Sequence, residues 1–144
     1  MIRRLAFVLS LVSLPALAGE ITCPDLAAIQ QVGTCASEQE LKWSFTGYCS
    51  DNQRMYDKED GVCLSEEHYR KAKDVSLWEA GEFQGYLHCS KSAETIKASR
   101  FKHIGAIRIG AMTRVVCTYD DGIDLTYRTK APCTVEGDKA VCKD

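Results

Sequence analysis

Residues Arg114 to Cys133 read RVVCTYDDGIDLTYRTKAPC, and this stretch decides the fold class. Val115, Cys117 and Tyr119 alternate with Arg114, Val116 and Thr118. After Gly122, Ile123, Leu125 and Tyr127 alternate with Asp124, Thr126 and Arg128. Successive side chains of a strand point to opposite faces, so each run has one mainly apolar face. Loop length then sets the register. A two-residue turn, Asp121-Gly122, pairs Asp120 with Ile123 and throws the two apolar rows onto opposite faces. A three-residue loop, Asp120-Asp121-Gly122, pairs Tyr119 with Ile123, Cys117 with Leu125 and Val115 with Tyr127, and all six share one face. A buried face fixes register, so the three-residue loop is predicted. Its usual form is a type I turn followed by a left-handed residue, here Gly122. Cys117 then faces the core as a half-cystine. Arg114 stands opposite Arg128 on the other face, where like charges repel unless they are solvated or share an anion. Two long solvated side chains are the plainer reading.

Working outward, the chain turns strand-rich after Gly81. Glu82 to Ser90 and Thr95 to Ile109 read as strands, with Gly85 a bulge and Gly105 a bend or break, and Lys139 to Cys142 as a short last strand. Upstream, Ser65 to Ala80 reads as a helix. Ser65 can cap it, Leu64 can staple onto Tyr69, Glu66 and Glu67 suit the first turn, and Gly81 can end it. Tyr69, Ala72, Val75 and Trp78 form its apolar stripe. Leu41, Trp43 and Phe45 alternate, so Glu40 to Cys49 reads as a strand. Pro24 suits the first turn of a short helix over Leu26 to Ile29, which Gly33 can end. Asp51 to Gly61 is polar and turn-like. Its DNxxxxDxxDG pattern lacks the spacing and closing Glu of an EF-hand, and it reads as a solvated loop.

The N-terminus has export features. Arg3 and Arg4 precede a short apolar run, Leu5 to Leu14, then Pro15 and the small-x-small site Ala16-Leu17-Ala18. The run is well short of the ~20 residues a membrane span needs. Residues 1–18 therefore read as a signal segment and residues 19–144 as a single disulfide-rich domain, exported to the periplasm or secreted. Removing the two arginines leaves 16 basic and 20 acidic residues, a net charge of −4. Nucleic-acid binding needs a basic face. The short basic run Arg70 to Lys73 is balanced by Glu66 and Glu67 one turn earlier.

Cys23, Cys35, Cys49, Cys63, Cys89, Cys117, Cys133 and Cys142 all lie in the mature part. An even count in an exported chain implies a disulfide framework of up to four bridges. Neighbour pairing closes the shortest loops, and Cys133–Cys142 is the pair singled out. There is no Cys-x-x-Cys and no pair of histidines at ligand spacing, so neither a metal site nor a thiol redox site is indicated. The predicted class is α+β: a small antiparallel sheet, a C-terminal meander, with one or two helices and disulfide stabilisation.

No catalytic frame is legible. Gly-x-Ser-x-Gly, His-Glu-x-x-His and a phosphate loop are all missing, and no motif calls for a cofactor. His68, His88 and His103 are the candidate general bases, each also readable as a surface or satisfied histidine. Two resemblances bear on function. The segment Val116 to Tyr127, VCTYDDGIDLTY, resembles the cysteine-bearing hairpin of bacterial periplasmic inhibitors of C-type lysozyme. Those proteins also carry a Ser-Gly-x-x-Tyr inhibitory loop, which this chain lacks. The layout as a whole resembles small exported proteobacterial proteins grouped as a domain of unknown function. The shared features are the signal, Cys23-Pro24, a mid-chain Trp and the strand Cys117-Thr118-Tyr119. That resemblance implies a small disulfided β-rich domain and brings no activity.

Three functional expectations follow. The foremost is a rigid exported module that binds another protein, as an inhibitor, an immunity-type factor or a secreted virulence accessory. The alternatives are a small secreted hydrolase with an unrecognised site and a structural envelope-associated subunit.

Overall fold

A computed structural model describes residues 19–56 and 61–143. The segment read as a signal, residues 1–18, and residues 57–60 of the polar stretch lie outside the described residues. The described elements are, in order, β1 (Gly19–Thr22), a 3-10 turn (Leu26–Ala28), β2 (Gln30–Gln31), α1 (Glu38–Cys49), α2 (Asn52–Tyr56) and α3 (Glu66–Lys73). There follow β3 (Val75–Ala80), β4 (Phe83–His88), α4 (Ala93–Ala98), β5 (Phe101–Ile109), β6 (Met112–Tyr119), β7 (Asp124–Thr129), β8 (Cys133–Glu136) and β9 (Lys139–Cys142). The strands form a six-stranded sheet, β2-β3-β4-β7-β6-β5, and a three-stranded sheet, β1-β9-β8. All the ladders are antiparallel. The class is α+β with disulfide stabilisation, as the pattern predicts. The sheet is larger than expected, and the described residues hold four α-helices where one or two were expected.

The β6–β7 hairpin has the predicted register: Cys117 pairs with Leu125 and Val115 with Tyr127. The Tyr119 amide donates to the Ile123 carbonyl across the three-residue loop. Both Asp121 (φ 59°) and Gly122 (φ 66°) are left-handed, one more than the turn type requires. Aspartate tolerates that conformation better than most residues. Val115, Cys117, Ile123 and Leu125 are fully buried. With Trp78, Phe83 and Leu87 they make the inner face of the large sheet. Leu26, Ile29, Ile96 of α4 and Ala140 of β9 close over that face. Burying each large apolar side chain contributes about 1.5–3 kcal/mol, so this layer carries most of the stability.

Four elements differ from expectation. Asn52–Tyr56, in the stretch read as a solvated loop, is a short helix. Glu38–Cys49 is a helix, not a strand. Ser37 caps it and forms a capping box with Glu40: the Glu40 amide donates to Ser37 Oγ, and the Ser37 amide donates to Glu40 Oε2. Leu41, Phe45, Tyr48 and Cys49 lie at helical spacing, and that stripe is the one used. Trp43, which gave the strand pattern, is 72% exposed. The Ser65-capped helix stops at Lys73. Val75–Ala80 is instead a strand with Ser76, Trp78 and Ala80 inward, paired with β4 from Val75↔His88 to Ala80↔Phe83. Gly81 (φ 58°) serves the tight turn between β3 and β4 rather than a helix end. Leu64, expected to staple onto Tyr69, is exposed. Lastly, Ser92 caps a short helix, Ala93–Ala98, before the strand Phe101–Ile109 begins.

Two glycines also act differently. Gly85 is not a bulge, since it sits in register opposite Trp78. Gly105 neither bends nor splits β5; the register shift lies between Phe101 and His103.

The cysteines form four bridges: Cys23–Cys117, Cys35–Cys89, Cys49–Cys63 and Cys133–Cys142. The last is the predicted pair, joining directly opposed residues of β8 and β9. The first two span 94 and 54 residues, so neighbour pairing fails for half the framework. Cys49–Cys63 pins a satellite cluster in which Phe45 and Tyr48 pack on Tyr69 of α3. Four disulfides mark a chain that folds in an oxidising compartment, outside the cytosol. Among the described residues no helix is long and apolar enough to cross a membrane.

Candidate functional site

On the outer face of the six-stranded sheet polar and apolar groups converge, with no covering layer among the described residues. Alternation along the strands puts Leu77 of β3, Gln84 and Tyr86 of β4, Asp124, Thr126 and Arg128 of β7, and Arg114 of β6 on this side. All of these line one cavity of about 230 Å³, with Gly85 at its edge. Ile107 of β5 pairs with Arg114 and extends the same face to the sheet edge. Tyr86 is 71% exposed, and Ile107 and Ile109 are also exposed. Scattered apolar residues are ordinary on a surface. Here they flank a concave patch with two arginines in it.

The arginine pair is a product of the hairpin register. Arg114 lies directly opposite Arg128. The Tyr119 amide bond to Ile123 marks a hydrogen-bonded pair. Counting the alternation back from it makes Arg114 and Arg128 a non-hydrogen-bonded pair, the kind whose side chains stand closer. Neither arginine forms an ion pair among the described residues. The Arg114 Nε is buried, and no protein group of the described chain accepts from it. A buried donor left unpaired costs about 1–3 kcal/mol, more when charged.

Two carboxylates of this face, Asp124 and Glu79, are each bonded to a neighbouring side chain. Asp124 Oδ1 accepts from the Thr118 hydroxyl at 2.6 Å. Glu79 Oε1 accepts from the Gln84 amide at 2.8 Å. The backbone is also tightly set at the cavity. Gly85 passes so close to β7 that a Cβ there would lie 2.5 Å from the Asp124 carbonyl oxygen.

Other hollows are less developed as sites. One of about 440 Å³ lies over Cys23, Pro24, Phe101 and Tyr119. The Tyr119 hydroxyl is committed there, donating to the Pro24 carbonyl at 2.6 Å. Burial, with the nearby Asp25 charge, pushes its pKa up to about 12. Another hollow follows one side of α1 beside Trp43 and is lined by that helix and its cap alone.

The three candidate bases are not brought together. His68 Nδ1 lies 2.8 Å from Ser65 Oγ, within the cap of α3. His88 Nδ1 lies 2.8 Å from Ser90 Oγ, in the turn after β4. In both cases the serine or its backbone belongs to a local turn, as the His68 and Ser90 amides show. His103 stands exposed on the edge strand β5. All eight cysteines are consumed in disulfides.

Opposition of Arg114 and Arg128 was legible from the hairpin alone. The contribution of Leu77, Gln84 and Tyr86 was not, because β4 reaches β7 through a long-range pairing, Gln84↔Thr126. Period-two reading of β4 places Tyr86 outward, and that was the available signal. Comparison with family models, curated proteins and solved structures found no match to this chain.

Proposed function

We propose that this chain is an exported, disulfide-stiffened module that binds another protein through the outer face of its six-stranded sheet. The observation that carries the reading is the uncovered patch of Tyr86, Ile107, Arg114 and Arg128. Aromatic residues and arginine are the commonest interface anchors. A cavity of about 230 Å³ is smaller than the roughly 300–1,000 Å³ of small-molecule sites and suits one inserted side chain. Disulfides that tie Cys23 and Cys35 of the N-terminal segment to Cys117 and Cys89 of the large sheet and its turn limit the ordering cost of binding. Inhibitor, immunity-type factor and virulence accessory are all roles of this kind, in the periplasm or outside the cell.

The test is a pull-down with the oxidised chain Gly19 to Asp144 immobilised, against periplasmic, secreted and host-cell extracts. Parent protein and the Tyr86→Glu, Ile107→Glu double variant are run side by side. One stoichiometric partner captured by the parent and lost by the variant is expected. A partner held equally by both would move the contact surface elsewhere, and a blank with the parent would refute the binding reading.

A further inference from the structure

We infer that Arg114 and Arg128 form a carboxylate-recognition site that takes an acidic side chain presented by the partner protein. The inference rests on the proposed contact face and names the chemistry at its centre.

Four observations converge. Two arginines stand directly opposite each other on adjacent strands, in a ladder that runs unbroken from Thr113↔Thr129 to Thr118↔Asp124, and both line one cavity. One of them has an enclosed Nε with no acceptor from the described chain. The neighbouring carboxylates of Asp124 and Glu79 are bonded to Thr118 and Gln84 and do not reach the arginines. Finally, the cavity at the pair has the volume for one side chain and has Leu77 and Tyr86 in its lining for an apolar stem.

The chemistry favours a carboxylate over other anions. A guanidinium presents donors in a planar fork that a carboxylate meets with two parallel hydrogen bonds. A single negative charge relieves the repulsion between the two arginines. Asp124 lines the same small cavity and repels any anion there, a dianion such as phosphate more strongly than a singly charged carboxylate. The surroundings favour a side chain on a protein surface over a free acid. The cavity opens onto the exposed Tyr86 on one flank and Ile107 on the other, and a small molecule would leave those contacts unused.

The experiment uses the oxidised chain from Gly19 to Asp144, labelled with 15N. The Nε–Hε signals of Arg114, Arg128 and, as a reference, Arg54 are followed during titration at constant ionic strength. The first probe is sodium acetate, exchanged against sodium chloride. The second is a capped Val-Glu-Val peptide, with Val-Gln-Val as its uncharged counterpart. The expected result is a saturable shift of Arg114 and Arg128 with one common Kd, tighter for the Glu peptide than for acetate and absent with the Gln peptide. Arg114→Gln and Arg128→Gln should each weaken binding about tenfold, with amide signals elsewhere unchanged to show the fold intact. Saturation by acetate with no gain from the Glu peptide would overturn the protein side chain as the source and assign a free carboxylic acid. Linear drift of both signals in step with Arg54 would overturn the site itself. That last outcome leaves the sheet face available as a contact surface, which the pull-down judges separately.

Discussion

Gly85→Ala is the sharpest test of how β4 and β7 meet beneath the candidate site. A Cβ at this position would lie 2.5 Å from the Asp124 carbonyl oxygen and 2.6 Å from Leu125 Cδ2. Carbon contacts are comfortable at about 3.5–4.0 Å, so one strand must give by about 1 Å. Neither can give cheaply. Leu125 is fully buried and pairs with Cys117, which is itself bonded to Cys23. Gly85 is held from its other side by pairing with Trp78. Overpacking a closed core costs about 1–3 kcal/mol, and a backbone obstacle between two ladders puts this substitution at about the upper figure. For a domain of this size that corresponds to a fall in Tm of about 10–15 °C. Gly105→Ala is the matched control. Nothing lies within 4 Å of a Cβ there. Loss of glycine's freedom in the unfolded chain should then stabilise by about 0.4–1 kcal/mol. Thermal melts of both oxidised variants, followed by circular dichroism, give the comparison. A Gly85→Ala protein that melts within about 2 °C of the parent would refute the packing of β7 against β4.

Three further predictions concern the frame around the site. Replacing both Cys23 and Cys117 by Ala should cost about 4–5 kcal/mol in urea unfolding, against about 2–3 kcal/mol for the Cys133 and Cys142 pair, because the loops span 94 and 9 residues. The retained Cys35–Cys89 bridge shortens the effective loop and trims the first figure, but an inverted order would contradict the chain-entropy account. Tyr119, with its pKa pushed up to about 12 by burial and then by Asp25, should stay un-ionised near pH 11, where exposed tyrosines have titrated. Its folded value lies above its unfolded value, so its contribution is fully present below about pH 10 and is lost as pH rises towards 12. Absorbance at 295 nm in parent and Tyr119→Phe reads this directly, and identical titration curves would count against the buried hydroxyl. Ser37→Ala should cost about 1 kcal/mol by removing the cap of α1, while Ser37→Asp should retain most of it. The Ser37 amide, then its hydroxyl, holds the Glu40 carboxyl below its ordinary 4.5. That contribution is present above the unfolded value and is lost as pH falls through the lower folded one; Ser37→Ala keeps the backbone amide, so only the hydroxyl's share of the effect should shrink in acid.

The misreadings share a physical cause. Leu41, Trp43 and Phe45 alternate by coincidence, while the helical stripe Leu41, Phe45, Tyr48 and Cys49 uses two of the same residues. The Ser37-to-Glu40 capping box was the sequence signal that separates the two readings. Tyr69, Ala72, Val75 and Trp78 continue a helical spacing past Lys73, yet Ser76, Trp78 and Ala80 also alternate. Local pattern does not choose between them. The complete ladder of β3 with β4 does, because it buries Trp78 and lets its indole donate to Ser76 Oγ at 3.0 Å.

By itself the sequence determined the β6–β7 hairpin, its register, the burial of Cys117, the opposition of Arg114 and Arg128, and the Cys133–Cys142 bridge. All of these are set by alternation with a period of two or by closure of a short loop, and both are local. Only the tertiary structure decided the Cys23–Cys117 and Cys35–Cys89 bridges, the placing of β4 beside β7, and the cavity that joins Leu77 and Tyr86 to the arginines. Those depend on pairings between residues far apart in the chain, where loop-closure cost varies only slowly with length and leaves many partners nearly equal. Burial of a shared core then selects one of them.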